Sequence, residues 1–315
     1  MINLARRVTF SLATFIALAV VSFLGIDALP GDGCTALLGR FGSDTKIESC
    51  RQENQLNDPV VVRLKNWSTD LISGDLGYSI KRDEQVSKLI APRLRNTAIM
   101  GAVAAVIAFP SAIVVGLLLG RFPQKRSSKV VNQLSVIAMT LPEFVIATVL
   151  WLVLSIWLPI FPGVSVMPSN ASVLQLLPNV WLPAFTLAVV IFAHSMRTMR
   201  ASVTNVQTMP FVESAQLRGT KERTTISRHI VPAALPPVMN VVALDGAWLL
   251  TGTFVTEAVF NFQGLGRLAI DAISDRDTAL ILPIILFGLA VYLISSLLAD
   301  SLARIFDPRL RSAKG

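Results

Sequence analysis

Three ionisable side chains lie within long apolar runs of this chain. Glu143 follows Pro142 in the run LPEFVIATVL, Asp245 lies in the run ALDGAW, and His194 lies near the end of another apolar run. A charged group at bilayer depth is costly, so it usually faces a polar cavity or a partner side chain. Two interpretations stay open for each residue: a polar wall that a solute passes, or a helix–helix contact such as Asp245 with His194.

The apolar runs themselves indicate the class of protein. Of 315 residues, 53% are hydrophobic and only 15% are charged, with a mean hydropathy of +0.61. Soluble domains carry about 25% charged residues, and a run of about 20 apolar residues crosses a hydrocarbon core roughly 30 Å thick. We therefore predict an all-α polytopic membrane protein with six transmembrane helices. The predicted spans are residues 8–29, 97–119, 130–158, 180–199, 235–255 and 279–302.

The distribution of Lys and Arg predicts the orientation. Positive charge precedes the first run and recurs after the second, fourth and sixth runs, whereas the loop 159–179 is uncharged. Short cytoplasmic loops carry the excess of Lys and Arg, so both termini are expected in the cytoplasm, including the tail 304–315. The net charge of +8 then reflects membrane topology, and we expect no nucleic-acid partner.

The first apolar run allows two interpretations. Arg6 and Arg7 precede it, as in a signal peptide. The run is longer than the usual 7–15-residue core of such a signal, however, and no small-x-small cleavage site follows it. We therefore favour an uncleaved transmembrane helix over residues 1–29.

The next segment, 30–92, is expected to be a periplasmic loop with a short helix around 57–72. It contains both cysteines of the chain, Cys34 and Cys50. Disulfides persist in an oxidising compartment, so these residues are either bonded or two free thiols. A metal site is not expected, because both histidines lie elsewhere.

The segment 213–237, ESAQLRGTKERTTISRHIVPAALPP, is charged although apolar runs flank it on both sides. Residues 202–218 have the pattern of helices lying along a membrane surface, and Gly219 permits a sharp change of direction. A second short helix is predicted at 221–230. Return to the membrane is expected at Pro232, Pro236 and Pro237. Such a projection suits a docking partner, or it is an ordinary amphipathic interfacial helix.

This segment resembles the Glu-Ala-Ala loop of ABC importer permeases. The similarity rests on Glu213-Ser214-Ala215, then Gly219, then Val231-Pro232, with Ser214 departing from the usual alanine. Arg228-His229 resembles the pair usual in the dipeptide/oligopeptide branch of that family. Further segments resemble motifs of the same branch in the same order: 29–32 (LPGD), 75–79 (DLGYS), 93–97 (RLRNT), 252–277 and 307–309 (DPR).

The resemblance implies a MetI-like permease core over 93–303, with a coupling segment at 202–232 that docks on an ATPase. The residues expected at that contact are Glu213, Ser214, Ala215, Gly219, Lys221 and Arg223. Glu213 would pair with an ATPase arginine, while Ala215 and Gly219 would be small enough to enter a cleft. Glu143, Asp245 and His194 are the candidates for the translocation pathway.

The partners implied are a second homologous permease, two ATP-binding subunits and a periplasmic solute-binding protein, in a bacterial inner membrane. The chain has no Gly-x-x-x-x-Gly-Lys-Ser/Thr stretch, so ATP is expected on the partners. No catalytic residue and no cofactor of its own are expected.

The expected function is the import of dipeptides or oligopeptides, with nickel, glutathione or opine-like solutes as alternative cargo. A secondary transporter or channel would predict inverted repeats, and the sequence shows no convincing one. An intramembrane enzyme is disfavoured because no Gly-x-Ser-x-Gly stretch exists.

Overall fold

The computed structural model describes residues 2–28, 30–39, 42–251 and 253–306, and this part of the chain is almost entirely helical. Motif residues at positions 29, 252 and 307–309 lie outside the described residues. The helices are α1 Ile2–Asp27, α2 Gly33–Leu38, α3 Asp44–Glu53, α4 Val60–Ser73, α5 Val86–Arg121, α6 Arg126–Thr140, α7 Glu143–Trp151, α8 Val173–Gln207, α9 Pro210–Leu217, α10 Glu222–Thr225, α11 Val231–Thr251, α12 Phe254–Val259, α13 Leu265–Ser274 and α14 Thr278–Phe306. An antiparallel hairpin pairs β1, Tyr78–Ser79, with β2, Glu84–Gln85.

Four helical segments within the described residues are long and apolar enough to cross a membrane. They lie where the first, second, fourth and sixth apolar runs predicted spans. They are Arg6–Asp27, Val86–Arg121, Val173–Gln207 and Thr278–Leu297. A bent pair of helices, α6 with α7 and its extension, makes a possible fifth span. The remaining predicted span is helical as α11 but is not among these candidates.

The third predicted span is not one continuous helix, as 130–158 implied. Arg126–Thr140 and Glu143–Trp157 are bent by 111° relative to each other. Leu141, which precedes Pro142, has the extended ψ of 135° that a following proline favours. The proline therefore ends α6, and Glu143 begins α7. A π-helical turn over Leu152–Trp157 extends α7.

The chain forms two compact units. Unit 1 consists of Met1–Thr97, Met167–Ser172 and Gln263–Leu293; unit 2 consists of Ala98–Val166, Val173–Phe262 and Ile294–Gly315. The division falls inside α5, which begins at Val86, earlier than the predicted span at 97.

In unit 1, the helix expected near 57–72 is present as α4, and it packs on α1. The rings of Trp67 and Phe23 have centroids 5.3 Å apart, and Arg63 Nη2 lies 2.5 Å from Asp27 Oδ1. An aromatic contact and a partly buried ion pair thus attach the first loop to the end of the first span.

The two cysteines are bonded, which decides between the two interpretations left open. Cys34 in α2 and Cys50 in α3 form a disulfide. Asp32 caps α2 by accepting a hydrogen bond from the Thr35 backbone N–H at 2.8 Å, and it also accepts one from Arg51 Nε at 2.7 Å. The Arg51–Asp32 contact and the disulfide together hold α2 against α3.

Segments that resembled family motifs also meet in unit 1. Ser79, in the DLGYS stretch, donates a hydrogen bond to the buried carboxylate of Asp277. Arg276 Nη1 donates to the carbonyl oxygen of Pro30 at 2.7 Å. Burial raises the pKa of Asp277, and the hydrogen bond from Ser79 opposes that rise. We call the pair of Ser79 and Asp277 the hairpin lock.

In unit 2, α8 packs against α6, α7 and α11, and α5 approaches it closely through a Gly-x-x-x-Gly pair. A Cβ on Gly116 would lie 2.7 Å from the Met196 carbonyl oxygen, and one on Gly120 would lie 2.7 Å from that of Arg200. Only glycine permits this approach, because an added methyl group would collide with the backbone of α8.

Candidate coupling segment and membrane cleft

The coupling segment, predicted at 202–232, begins within α8, which continues to Gln207. Pro210 occupies the first turn of α9, where its missing N–H costs no hydrogen bond. The helix ends in a Schellman motif: Gly219 N–H donates to Gln216 O at 2.9 Å, and Thr220 N–H donates to Ala215 O at 3.1 Å. Gly219 has a φ of +74°, so the predicted change of direction occurs at this residue.

The second half of the segment runs into the next membrane helix without a break. After α10, a π-helical turn over Ile226–Ile230 continues into α11. Pro236 and Pro237 lie inside α11. The prolines therefore do not end the helix at the return to the membrane: Pro232 is the second residue after the π-helical turn, and the helix continues through it.

Most of the residues expected to contact a partner face outward. Glu213, Ser214, Lys221 and Arg223 are all exposed, and Leu217 is an apolar side chain that is 82% exposed. An exposed leucine among charged residues leaves apolar surface in water, and a protein partner would remove it from water. We call these five residues the coupling face.

Ala215 and Gly219 are each constrained within this chain itself. Ala215 is fully buried within the chain, as is Val212 one turn before it. Its small side chain therefore serves packing within unit 2 and is not part of an exposed face. Within this chain a Cβ on Gly219 would meet nothing within 4 Å, so here it is the positive φ that favours glycine; its fit into a partner's cleft stays a prediction.

Beneath the coupling segment lies an apolar cluster that joins it to the membrane helices. Val212 of α9 and Ile230 of the π-helical turn belong to the same buried cluster as residues of α8 and α11. Its members are Met199, Val203, Val206, Val212, Ile230, Ala234 and Val238. Since close-packed interiors transmit displacement, a force on the segment acts on both membrane helices.

A polar contact links the coupling segment to α5 as well. Arg121, the last residue of α5, donates from Nη1 to Gln207 Oε1 at 2.7 Å and from Nη2 to Glu222 Oε1 at 3.0 Å. Gln207 in turn donates to the Gly120 carbonyl oxygen at 2.8 Å. Sequence reasoning assigned Arg121 only to the positive loop after the second span, because loop charge says nothing about pairing.

Two of the three pathway candidates form a pair. His194 Nδ1 donates to Asp245 Oδ1 at 2.9 Å, which joins α8 to α11. Ser195, which sequence reasoning did not select, donates to Asp245 Oδ2 at 3.1 Å. Asp245 is largely buried, whereas the His194 side chain is 44% exposed. The helix–helix contact is therefore present, and it leaves His194 accessible.

Glu143 lies in a different place. It accepts a hydrogen bond from the hydroxyl of Thr256 in α12. On the same helix, Thr253 donates to Glu257 Oε1 at 3.0 Å, and Glu257 is fully buried. The structure thus joins Glu143 to α12 and Asp245 to α8, so the two carboxylates serve separate helix pairs.

A cleft of about 1000 Å³ opens between α8, α9 and α11. His194 and Arg197 of α8 line it, together with Phe211 of α9 and Pro236 of α11. The coupling segment and His194 thus both contribute to the wall of the cleft.

Comparisons with known proteins identify the family of this chain. The family model "Binding-protein-dependent transport system inner membrane component" matches residues 112–312. The oligopeptide transport system permease protein AppB of Bacillus subtilis is 29% identical over 308 residues, covering 97% of this chain and 98% of that protein. A putative peptide transport system permease protein of Brucella abortus is 30% identical over 306 residues, covering 97% and 98%.

Two more comparisons concern a relative named for a different solute and a solved structure. The glutathione transport system permease protein GsiC of Pectobacterium atrosepticum is 28% identical over 307 residues, covering 97% of each chain. The crystal structure of an amino acid ABC transporter with histidines superposes with a TM-score of 0.51 at 18% identity, covering 71% of this chain and 94% of that one. The latter shows a shared fold only. On the family match, this chain belongs to the binding-protein-dependent transport system inner membrane components, and it is a multi-pass membrane subunit of such a system.

Proposed function

We propose that this chain is a permease subunit of an ATP-binding-cassette importer for short peptides. The observation that carries the proposal is the coupling face, an exposed charged surface with one exposed leucine, held on a buried cluster between α8 and α11. A subunit that receives energy from a partner needs such a rigid, outward contact. The peptide cargo is supported by full-length relatives named as peptide permeases.

The proposed topology has six spans, with α11 as the fifth, and both termini in the cytoplasm. Two features support it. The Cys34–Cys50 disulfide supports an oxidising compartment for the first loop, and the proposed topology has the coupling segment on the cytoplasmic side. Its Lys and Arg residues agree with that side of the membrane.

In the proposed transporter, separate subunits bind ATP. Two ATPases and a second homologous permease would complete the transporter, and an extracytoplasmic binding protein would deliver the solute. On the coupling segment, Glu213, Ser214, Lys221 and Arg223 contact the ATPase, and Gly219 sets the angle between the two halves. Ala215 packs the first half of the coupling segment into the interior of unit 2.

The proposed pathway uses the accessible side of the His194–Asp245 pair. His194 is part of the cleft wall, so it offers a polar surface to a passing solute. Glu143 lies at the bend between α6 and α7, where it adds a second polar position along the route. Weakly binding polar walls suit a solute that must also leave.

Glutathione is a second candidate cargo. A relative named as a glutathione permease matches the chain over the same length and at similar identity. Glutathione is itself a peptide-like solute with free carboxylates, so the two candidates share their chemistry.

The test is uptake by cells with and without this gene. Labelled dipeptides, longer peptides, glutathione and nickel are offered separately, and the gene is restored on a plasmid. We expect uptake of one peptide class to fall on deletion and to return on restoration. If all peptide uptake is unchanged while uptake of nickel falls, the peptide assignment is wrong and the importer assignment stands. If no solute depends on the gene, both are wrong.

A further inference from the structure

Within unit 2, the cleft between α8 and α11 contains an arginine that lacks a charged partner among the described residues. Arg197 lies three residues after His194, on the same side of α8, and lines the cleft. The one hydrogen-bond acceptor that the described residues provide is the sulfur of Met139, at 3.6 Å. A thioether is a weak acceptor, so most of the guanidinium's hydrogen-bonding capacity is unused.

A neighbouring arginine on the same helix shows the contrast. Arg200 is also partly buried, but its Nε donates to Ser128 Oγ at 3.1 Å and its Nη1 donates to Asn132 Oδ1 at 3.4 Å. Those contacts tie α8 to α6. Arg200 is thus used within the fold, whereas Arg197 faces an open cleft.

The opposite wall of the cleft supplies acceptors. Pro236 and Pro237 of α11 have no N–H, so the carbonyl groups four residues earlier, on Pro232 and Ala233, lose their helical donors. Pro232, Ala233, Pro236 and Pro237 all line the cleft. These two carbonyl groups are therefore the candidate acceptors for a solute with N–H groups.

The remaining walls suit a ligand with variable side chains. Met139, Met209 and Phe211 are adaptable apolar surfaces, and Ala201 keeps the cleft open next to Arg197. An arginine, two carbonyl groups without their usual helical donors, and a lining that mixes apolar side chains with Thr198, Ser202 and Asn205 complement a peptide backbone that ends in a carboxylate.

We propose that this cleft is a peptide-binding site in which Arg197 binds the free C-terminal carboxylate of the transported peptide. Guanidinium and carboxylate match in charge and geometry and form paired hydrogen bonds. The peptide N–H groups face the carbonyl oxygens of Pro232 and Ala233. The site rests on the proposed function and deepens it, because it predicts that the permease itself distinguishes a free carboxylate from an amide.

The experiment measures protection of a thiol in the cleft. Both native cysteines are in the disulfide, so Ala201→Cys introduces the single free thiol in the chain. Inside-out vesicles containing the complete transporter are treated with a thiol reagent in the presence of trialanine or trialanine amide. These vesicles present the cytoplasmic side directly, so the binding protein does not select the peptide.

We expect trialanine to slow the reaction of the introduced thiol at least fivefold, and the amide to slow it much less. Adding Arg197→Gln should remove the difference between the two peptides, and Arg197→Lys should keep part of it. The matched control is Arg200→Gln, which removes a positive charge one turn away and should leave the difference intact.

Three outcomes would overturn the site. Equal protection by the acid and the amide would mean that the carboxylate is not recognised. Loss of the difference in Arg200→Gln as well would mean a general effect of charge. A thiol that does not react in the complete transporter would mean that another subunit covers the cleft. If peptide uptake also fails to depend on the gene, the proposed function is wrong; if uptake depends on it, only the site is.

Discussion

The coupling segment and the hairpin lock use motif residues in opposite ways. In the coupling segment, the side chains of Glu213 and Lys221 are exposed and form no hydrogen bond or ion pair with the described residues. In the hairpin lock, Ser79 and Asp277 are buried, and their side chains form a hydrogen bond although the residues lie far apart in the sequence. Both regions carried the resemblance to the family, yet one presents its residues outward and the other turns them inward.

The difference shows that the residues of a family motif can be available for contact with another molecule, or can stabilise the fold of the chain itself. An exposed charge makes little contribution to the chain's own stability, which is compatible with the proposed contact between these residues and a partner. A buried hydroxyl–carboxylate pair is costly to break, since each group would lose a hydrogen bond while it stays buried. Ala215 shows that both uses occur within a single motif, because it is buried beside the exposed Glu213.

The largest expected effect on stability concerns the disulfide of the first loop. Removing it with Cys34→Ala and Cys50→Ala together should lower the free energy of unfolding of unit 1 by about 3 kcal/mol, because the bridge closes a loop with a sequence separation of 16. Thermal unfolding in detergent, with and without reductant, measures it. If reductant changes nothing in the wild type, the bridge contributes no stability.

The next effect concerns coupling through Gly219. Gly219→Val should reduce uptake about tenfold, because a β-branched residue at a φ of +74° is strongly disfavoured and the segment would change its angle. Gly219→Asn should keep most of the uptake, since asparagine tolerates this conformation. Uptake, membrane levels and ATPase rate of the complex are measured together. Equal loss in both variants would show that size, and not backbone conformation, matters here.

Breaking the hairpin lock should affect stability and leave coupling intact. Asp277→Ala is expected to cost about 1–3 kcal/mol, because it leaves the Ser79 hydroxyl buried without its acceptor, and Ser79→Ala is the matched variant. Thermal unfolding and uptake per transporter separate the two effects. Reduced uptake at unchanged stability would contradict the assignment of this pair to the fold.

The lock also has a predicted pH dependence. Burial raises the pKa of Asp277 in the folded protein above its ordinary value. The folded state therefore binds the proton more tightly than the unfolded state does. The stability that this proton contributes is fully present below the ordinary pKa of an aspartate, and it is lost as pH rises through the raised pKa of Asp277. Asp277→Asn should show a smaller loss of stability over that interval. The same slope in both proteins would assign the dependence to another group.

The smallest effect is expected at Arg121. Arg121→Ala should cost about 0.5 kcal/mol from its exposed ion pair with Glu222, plus a moderate loss of uptake as α5 separates from the coupling segment. The charge-reversed pair, Arg121→Glu with Glu222→Arg, should recover part of the uptake that either change alone removes. No recovery in the double variant would mean that Gln207, and not Glu222, is the important partner of Arg121.

Much of the fold could be predicted because its signals are local. Apolar runs of the right length lie where α1, α5, α8 and α14 form, and the helix near 57–72 is present as α4. The bend at Pro142 could not be predicted as an angle, since a proline ends or kinks a helix without specifying where the next part goes. The hairpin at 78–85 left no clear pattern in so few residues.

In the candidate site, too, only the residues with a local signal could be predicted from the sequence. Glu213, Ser214, Lys221 and Arg223 could be selected because a charged stretch between apolar runs is visible in the sequence, and the coupling function assigned to them stays a prediction. Arg121 and Arg197 could not be singled out, because both look like ordinary cytoplasmic charges. One bridges Gln207 and Glu222, and the other faces a cleft.

The sequence by itself determined that this is a helical membrane protein of the permease family, where most of its spans lie, and that a charged segment projects between two of them. Hydropathy and charge are properties of each stretch, so no packing is needed to read them. Only the tertiary structure decided which polar groups meet: His194 with Asp245, Ser79 with Asp277, Cys34 with Cys50. Those pairs join residues far apart in the chain, and their contact depends on how the helices pack.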